Sequence, residues 1–263
     1  MSEDESDEDS ILNPEEALSP STLALLRDLH FQIPQQRTSL QDGDPERLSI
    51  NILNLEETEP LHAAAVLRRD GVVRLNNVLT SQLCDECRAS ISSDLLIASN
   101  NGTDHYSETE SNGFGNVDSS HHRWDMYLHD IGSYAASITW MLGESSTALN
   151  SLFGELFHGQ DSEIYEFAAL VSDDGAGSQR VHPDTSYQPN CPLYTVFIAT
   201  QDVTREMGPT LFIQGSNTEA AHRSLRHNRN DFLTGSAYHQ ALLKKGDTVV
   251  MDSRILHCGG NLL

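Results

Sequence analysis

The sequence predicts an α+β fold with a β-sandwich or jelly roll in its C-terminal part. Helical patterns dominate the chain up to about residue 158. From Glu163 onward, short runs rich in β-branched and aromatic residues alternate with Gly, Pro, Asp and Ser, and no internal repeat is visible. A series of helices followed by many short strands is typical of this fold class.

The composition is that of a globular protein with a strong acidic bias. The chain has 263 residues, 38% of them hydrophobic, so one large domain or two smaller ones would fit. It carries 16 basic and 39 acidic residues, a net charge of −23. This charge repels phosphate backbones, which argues against a nucleic-acid partner. No basic leader and no apolar run of membrane-spanning length is present, so we expect a cytoplasmic protein without a membrane partner.

The N-terminal part of the chain divides into a tail and a short helical segment. Six of the first ten residues are acidic, and we expect residues 1–17 to be a disordered acidic tail. Residues 18–58 should contain one helix, Leu18–Gln32, followed by a linker, because an N-cap serine and an early proline precede apolar residues at helical spacing. Residues 59–263 should form the main domain.

The main domain should open with a helix, a turn at Gly71, a strand at Val72–Leu75 and a second helix beginning at Thr80 or Ser81. Residues 99–120 are rich in Asn, Gly, Ser and Thr and predict a long loop, either a lid or a mobile segment. Residues 132–158 suit a helix that is broken near Gly143.

Two cysteines of the second helix form a CxxC motif, Cys84 and Cys87, with two acidic residues between them. No second pair is present to complete a zinc site, and the acids oppose the thiolate stabilisation that redox motifs use. We therefore expect ordinary helix thiols here. The later strands are predicted in the stretches “EIYEFAALV”, “QRVHPDT”, “LYTVFIATQDV”, “PTLFIQG” and “DTVVMDSRILH”.

The candidate functional residues lie in the stretch “RVHPDTSYQ” and at a histidine far along the chain. His182 and Asp184 are two residues apart, so in an extended chain their side chains share one face. Pro183 between them suits a sheet edge or the mouth of a barrel. His257 ends the apolar strand in “GDTVVMDSRILHCGGN”. Two histidines and one carboxylate with open positions are the ligand set of non-haem Fe(II) oxygenases, so these three residues are candidate metal ligands.

The sequence around these residues resembles the phytanoyl-CoA dioxygenase-like family of Fe(II)/2-oxoglutarate oxygenases. The resemblance runs from about Glu59 to the end and rests on “LRRDGVVRLNNVLTSQLCDECRASI”, “GAGSQRVHPDTSY”, “YTVFIATQDVTREMGPTLFIQGSN” and “KKGDTVVMDSRILHCGGN”. It implies a double-stranded β-helix, or jelly roll, with flanking N-terminal helices. It also implies Fe(II) held by His182, Asp184 and His257, with 2-oxoglutarate and O₂ as co-substrates.

The resemblance further implies three residues that contact the co-substrate. These are Gln179, just before the histidine–aspartate pair, Thr195 on the next core strand, and Arg123 on an early strand. For Arg123, a surface ion pair with Asp125 is an equally plausible interpretation. The chain departs from the family's MGPT-x-FIPGSH pattern at Gln214 and Asn217, which stand where the family has proline and histidine.

A second departure concerns the arginine that the family places some ten residues after the distal histidine to bind the far carboxylate of 2-oxoglutarate. The chain stops at Leu263, six residues after His257. Strand alternation would point Arg254 away from the site, and Lys244 and Lys245 look solvated. We therefore expect the final strand of the jelly roll to be missing: either the sequence is a fragment or co-substrate binding has been lost.

These patterns predict a dioxygenase that hydroxylates a small organic substrate and converts 2-oxoglutarate to succinate. Halogenating relatives replace the acid, so Asp184 favours hydroxylation. Two alternatives stay open: a non-catalytic cupin-like metal-binding domain, and a zinc hydrolase, for which no general-base motif is visible. The basic stretch “HRSLRHNRN” could receive an anionic substrate or be a solvated loop.

Overall fold

A computed structural model of the chain describes residues 52–100, 114–116, 123–128, 131–143, 147–158 and 162–261. The predicted acidic tail, the predicted helix at Leu18–Gln32 and most of the predicted loop at 99–120 lie outside these residues.

Six α-helices are present in these ranges: α1 (Ala63–Asp70), α2 (Ser81–Asn100), α3 (Gly132–Leu142), α4 (Thr147–Phe157), α5 (Glu219–His227) and α6 (Arg229–Gly235). Short 3-10 turns occur at Pro60–His62 and Arg205–Met207. None of the helices in the described part of the chain is both long and apolar enough to cross a lipid bilayer.

Ten strands accompany the described helices: β1 (Ile52–Asn54), β2 (Val72–Leu75), β3 (Phe114–Asn116), β4 (Arg123–Tyr127), β5 (Ala168–Ser172), β6 (Tyr194–Ile198), β7 (Leu211–Phe212), β8 (Tyr238–Gln240), β9 (Thr248–Asp252) and β10 (His257–Cys258). They form three sheets with the strand orders β1-β8-β7-β10, β2-β9-β6 and β3-β4-β5. Every pair is antiparallel except β1 with β8.

Three clusters of buried apolar side chains join these elements in layers. The β2-β9-β6 sheet packs Val73 and Val250 against helices α1 and α4 on one side. Its other side contributes Val249 and Met251 to a core shared with Phe212 of the β1-β8-β7-β10 sheet. Because side chains alternate along a strand, one sheet can serve both cores. A third cluster packs the β1-β8-β7-β10 sheet against α5 and α6.

The sequence signals for the first elements are confirmed. Gly71 ends α1 with a left-handed φ of 76°, and its amide donates to Leu67. Added bulk there would press on the side chain of Asn217, 3.0 Å from the Cβ position, so glycine is required for both conformation and space. The Thr80 hydroxyl accepts from the amide of Leu83 at the start of α2, and Gly143 follows the end of α3.

The mixed α+β class is confirmed, but three stretches differ from the prediction. The stretch “QRVHPDT” does not form a strand: His182 makes an isolated bridge with His257, and the chain bends at Asp184. The basic stretch is helical, not a loop: Thr218 caps α5 by accepting from the amide of Ala221, and His222 turns into the core. The strand predicted at “DTVVMDSRILH” is broken. Its chain turns after Asp252, where the carboxylate accepts from the amide of Arg254 and the carbonyl accepts from Ile255. Aspartate commonly initiates such turns.

The CxxC cysteines are buried helix thiols, as predicted. Cys84 lies in α2 with no exposed surface, and its Sγ donates to the carbonyl of Ala199. Cys87 lies within 2.9 Å of the Ser137 hydroxyl. Burial raises the pKa of the Cys84 thiol to about 11, and the nearby Cys87 adds to that rise. A thiol held in this state is a poor metal ligand and a poor nucleophile.

Candidate metal centre

The backbone brings the two candidate histidines together as a bridged pair. The amide of His182 donates to the carbonyl of His257 at 2.9 Å, and the amide of His257 donates to the carbonyl of His182 at 2.9 Å. The imidazole centroids are 4.7 Å apart. His257 also pairs across β10 and β7 with Phe212, whose ring lies 6.0 Å from its own. The main-chain pairing therefore holds the two rings next to each other.

Asp184 joins this pair through its carboxylate. Its Oδ1 lies 3.5 Å from Nε2 of His257. One ligand atom from each of His182, Asp184 and His257 can be chosen so that all three lie within 4.8 Å of one another. His257 is buried, His182 is half-buried, and the side chain of Asp184 keeps 34% of its surface exposed. The site thus has a buried floor and an open side.

Both imidazoles are held in the tautomer that a metal site requires. Nδ1 of His182 lies 2.7 Å from the carbonyl of Arg180, and Nδ1 of His257 lies 3.1 Å from the carbonyl of Ile255. A carbonyl can only accept, so each Nδ1 carries the proton. The neutral ring then presents an unprotonated Nε2. Backbone carbonyls commonly orient metal-binding histidines in this way.

The electrostatics of His257 also favour the neutral ring. Burial lowers its pKa below the ordinary value, and the proximity of His182 acts in the same direction. The Asp184 carboxylate and the hydrogen bond to Ile255 oppose this change without reversing it.

Nitrogen and oxygen ligands of a divalent ion lie about 2.0–2.2 Å from the ion and hence at most about 4.4 Å from one another. The three candidate ligand atoms, which lie within 4.8 Å of one another, would have to move closer together to bind one ion.

Arg123 and Gln179 meet beside this centre at Gly259, two residues after His257. The backbone amide of Gln179 donates to the carbonyl of Gly259. The side-chain Oε1 of Gln179 accepts from the backbone amide of Gly259 at 2.8 Å. A Cβ on Gly259 would overlap Nη1 of Arg123 and lie 2.7 Å from its Cζ. Nη2 of Arg123 donates to the carbonyls of Gly260 at 2.6 Å and Gly177 at 3.3 Å.

Arg123 is a buried cation without an acid partner among the described residues. The residue is 4% exposed, and its Nε has no hydrogen-bond acceptor among the described residues. Burial lowers its pKa, but an arginine stays charged. No described carboxylate lies within ion-pair distance, so the surface pair with Asp125 considered from the sequence is not formed; burial instead raises the pKa of Asp125. A buried guanidinium whose described acceptors are neutral carbonyl oxygens is costly, because no opposite charge compensates for its lost hydration.

Thr195 lies on β6 opposite Met251 of β9. Its neighbours Tyr194 and Val196 pack towards the helices, so alternation turns Thr195 towards the core that contains Phe212. In the part of the chain that the structure describes, no hydrogen bond connects Thr195 with the three candidate ligands. Of the predicted co-substrate residues, Arg123 and Gln179 meet at Gly259, and Thr195 faces the core that contains Phe212.

A network beside the centre was missed from the sequence. Arg254 was expected to point away along a continuous strand, but the chain turns at this point and buries the residue. Its guanidinium forms a two-pronged pair with the Asp252 carboxylate, Nε to Oδ1 at 2.9 Å and Nη2 to Oδ2 at 2.5 Å. The available signal was the charged “DSR” inside an apolar run, because charged residues in a buried strand usually indicate an interruption.

Solved structures with a similar fold are numerous: 120 chains match. The α-ketoglutarate-dependent non-haem epimerase SnoN of nogalamycin biosynthesis is 17% identical, with coverage of 77% of this chain and 75% of SnoN and a TM-score of 0.53. AviO1 from Streptomyces viridochromogenes Tue57 is 19% identical over 79% of this chain and 90% of AviO1, with a TM-score of 0.52. HygX from Streptomyces hygroscopicus, solved with nickel and 2-oxoglutarate, is 12% identical over 77% and 81%, also at 0.52.

At these identities the similarity shows a shared fold. No curated protein sequence matches the chain. The sequence profile of the family described as phytanoyl-CoA dioxygenase (PhyH) matches residues 67–262, which include both candidate histidines and the aspartate. The chain belongs to the phytanoyl-CoA dioxygenase (PhyH) family.

Proposed function

We propose that the protein is an Fe(II)- and 2-oxoglutarate-dependent oxygenase. The observation that carries this proposal is the convergence of His182, Asp184 and His257, each histidine with its Nε2 lone pair free. This is the ligand set of non-haem Fe(II) oxygenases. Family membership and the metal and 2-oxoglutarate in the HygX structure support the same chemistry. The proposed setting is a jelly roll.

In this proposal the three residues hold the ion on one side and leave the opposite side open. When bound, Fe(II) supplies the redox chemistry that couples O₂ reduction and 2-oxoglutarate decarboxylation to oxidation of a substrate. His257 supplies a neutral nitrogen from the buried floor, and Asp184 supplies the negative charge that partly balances the ion. The backbone bridge between His182 and His257 fixes the spacing of the two nitrogens before the ion arrives.

Arg123 is our candidate anchor for a carboxylate of 2-oxoglutarate. It is buried and lacks an acid partner among the described residues, and its Nε–H has no acceptor. A carboxylate would satisfy both the charge and this donor through charge-assisted hydrogen bonds. Gln179 positions Gly259 against the guanidinium. Thr195 remains a proposed hydroxyl donor to the same molecule, on the evidence of the family resemblance.

Hydroxylation of a small organic molecule is the proposed reaction, because Asp184 occupies the position that a halide would need. Structural neighbours include an epimerase, SnoN, and a carbocyclase, SnoK, which matches with a TM-score of 0.50 at 17% identity. HygX has also been solved with hygromycin B, which supports a small-molecule substrate for this fold. Product analysis would distinguish hydroxylation from epimerisation and ring closure.

The test is succinate formation by the metal-stripped protein after Fe(II), 2-oxoglutarate and ascorbate are added. We expect uncoupled turnover even without substrate, and we expect Asp184→Ala to abolish it while the melting temperature changes little. The small effect on stability follows because Asp184 is partly exposed and the nearby His257 ring is neutral, so no ion pair is lost.

Two results would count against the proposal. If no succinate forms and 2-oxoglutarate does not bind, the non-catalytic metal-binding alternative is favoured. If succinate forms equally fast with Asp184→Ala, the ligand assignment is wrong.

A further inference from the structure

The segment that carries Asp184 is fastened to the turn between β9 and β10. The amide of Thr185 donates to the carbonyl of Ser253 at 2.9 Å, and the two hydroxyl groups lie 2.8 Å apart. The amide of Ser253 in turn donates to the carbonyl of Leu193 at 3.0 Å. Among the described residues, the side chain of Asp184 has one polar neighbour, Nε2 of His257 at 3.5 Å, so its position depends on how its chain segment is held.

Arg254 is the centre of this attachment. Its Nη1 donates to the carbonyls of Gln188 and Pro189 at 2.7 and 3.1 Å, while its Nε and Nη2 donate to the carboxylate of Asp252. The guanidinium also lies 5.9 Å from the ring centroid of Tyr187. One side chain therefore connects the turn that leads to His257 with the segment that follows Asp184.

The geometry of this connection is rigid. The side chains of Arg254 and Asp252 are 10% and 3% exposed, so solvent screens the pair little. Asn217 adds a hydrogen bond to Asp252, and His222 lies 2.6 Å from the carbonyl of Arg254. A planar guanidinium held on two sides cannot move without breaking several buried hydrogen bonds.

We propose that Arg254 is a positioning residue that preorganises the Asp184 carboxylate for metal binding, rather than a co-substrate anchor. This inference rests on the proposed metal site. The guanidinium of Arg254 pairs with the Asp252 carboxylate through Nε and Nη2, and its Nη1 donates to the segment that follows Asp184. Both sides of the guanidinium are therefore occupied by protein groups. Without Arg254, the Asp184 carboxylate samples positions away from the histidines, and metal binding must restore the order.

The experiment compares Arg254→Gln with a matched control, Arg74→Gln. Arg74 also forms an ion pair, with Asp247 at 3.0 Å, which is partly buried, but its described hydrogen bonds go to other parts of the chain. Co(II) affinity of the metal-stripped proteins is measured by the visible absorption of bound cobalt. Hydrogen exchange of the 185–188 amides is measured without metal.

Loss of such supporting contacts typically lowers metal affinity about 10- to 100-fold. We expect a loss of this order for Arg254→Gln, with faster exchange at Thr185, and no more than about a twofold change for Arg74→Gln despite a comparable fall in melting temperature. Arg254→Lys should recover part of the affinity at most, because lysine lacks the planar fork. In an Asp184→Ala background, Arg254→Gln should have no further effect.

The outcomes separate this inference from the proposed function. If Asp184→Ala weakens Co(II) binding but Arg254→Gln does not, the metal site stands and the positioning role is wrong. Equal losses in Arg254→Gln and Arg74→Gln would also overturn the positioning role, since the effect would then be one of general stability. If Asp184→Ala leaves Co(II) binding unchanged, the proposed metal site itself fails.

Discussion

Replacing Gly259 by alanine tests how Arg123 and the proposed co-substrate are connected. The added Cβ would overlap Nη1 of Arg123 and lie 2.7 Å from its Cζ and 2.8 Å from Oε1 of Gln179. Overpacking of this kind costs about 1–3 kcal/mol of stability. Because Gly259 is fixed to Gln179 by backbone and side-chain hydrogen bonds, we expect the guanidinium to be displaced.

The magnitude follows from the contacts that a displaced guanidinium would lose. A hydrogen bond to a charged group contributes about 1.5–3 kcal/mol. At 1.4 kcal/mol for each factor of ten, the Kd for 2-oxoglutarate should rise roughly 10- to 150-fold. Calorimetric titration of the Ni(II)-loaded protein measures this Kd, and urea unfolding measures the stability.

The matched control is Gly177→Ala. The carbonyl of Gly177 also accepts from Arg123, but no described atom lies within 4 Å of the Cβ that the substitution adds. Its affinity for 2-oxoglutarate should equal that of the wild type. If Gly259→Ala loses stability yet binds 2-oxoglutarate as tightly as Gly177→Ala, Arg123 does not anchor the co-substrate.

Two further predictions concern ionisable groups. Burial alone would raise the pKa of Asp252, but its bonds to Arg254 and Asn217 hold it below the ordinary value. The carboxylate therefore contributes stability that is present above the unfolded pKa of about 3.9 and is lost as the pH falls through the lower folded value. Acid unfolding followed by circular dichroism should show a smaller stability change below about pH 4 for Asp252→Asn than for the wild type; an identical pH dependence would show that the pair is not formed. Because burial raises the pKa of Cys84 to about 11, its thiol should resist iodoacetamide at pH 8 in the folded protein and react after denaturation, as peptide mass analysis can show. Rapid labelling of the folded protein would contradict the buried placement.

The early elements could be predicted because their signals are local. Gly71 needs a left-handed conformation, and Thr80 supplies a capping oxygen, so the sequence around each residue determines the boundary. The pairing of His182 with His257 was inferred from residue types and family resemblance. The turn at Asp252 was not predicted, because there the Asp252 side chain, rather than a neighbouring strand, accepts the hydrogen bond from the amide of Arg254.

The burial of Arg123 could not be predicted in the same way. Its surroundings come from Gly177, Gly259 and Gly260, which lie far from it in sequence, and the close approach depends on the absence of a side chain at Gly259. The helix α5 was missed because its charged residues obscured a short apolar face. Ala221 and Leu225 of that face pack on a cluster that exists once the sheet has formed.

The hydrogen-bonded bridge between His182 and His257 also affects how the protein is maintained. The two residues are distant in sequence, so their rings become neighbours after a long loop has closed. An ion that binds this pair selects the folded chain over the unfolded one. At a free ion concentration of 100 times its Kd, the folded state gains about 2.7 kcal/mol. For a domain of this size the gain corresponds to a rise of about 5–10 °C in Tm. Metal supply would then govern the lifetime of the protein as well as its activity, since fewer molecules would be open to proteolysis at any moment.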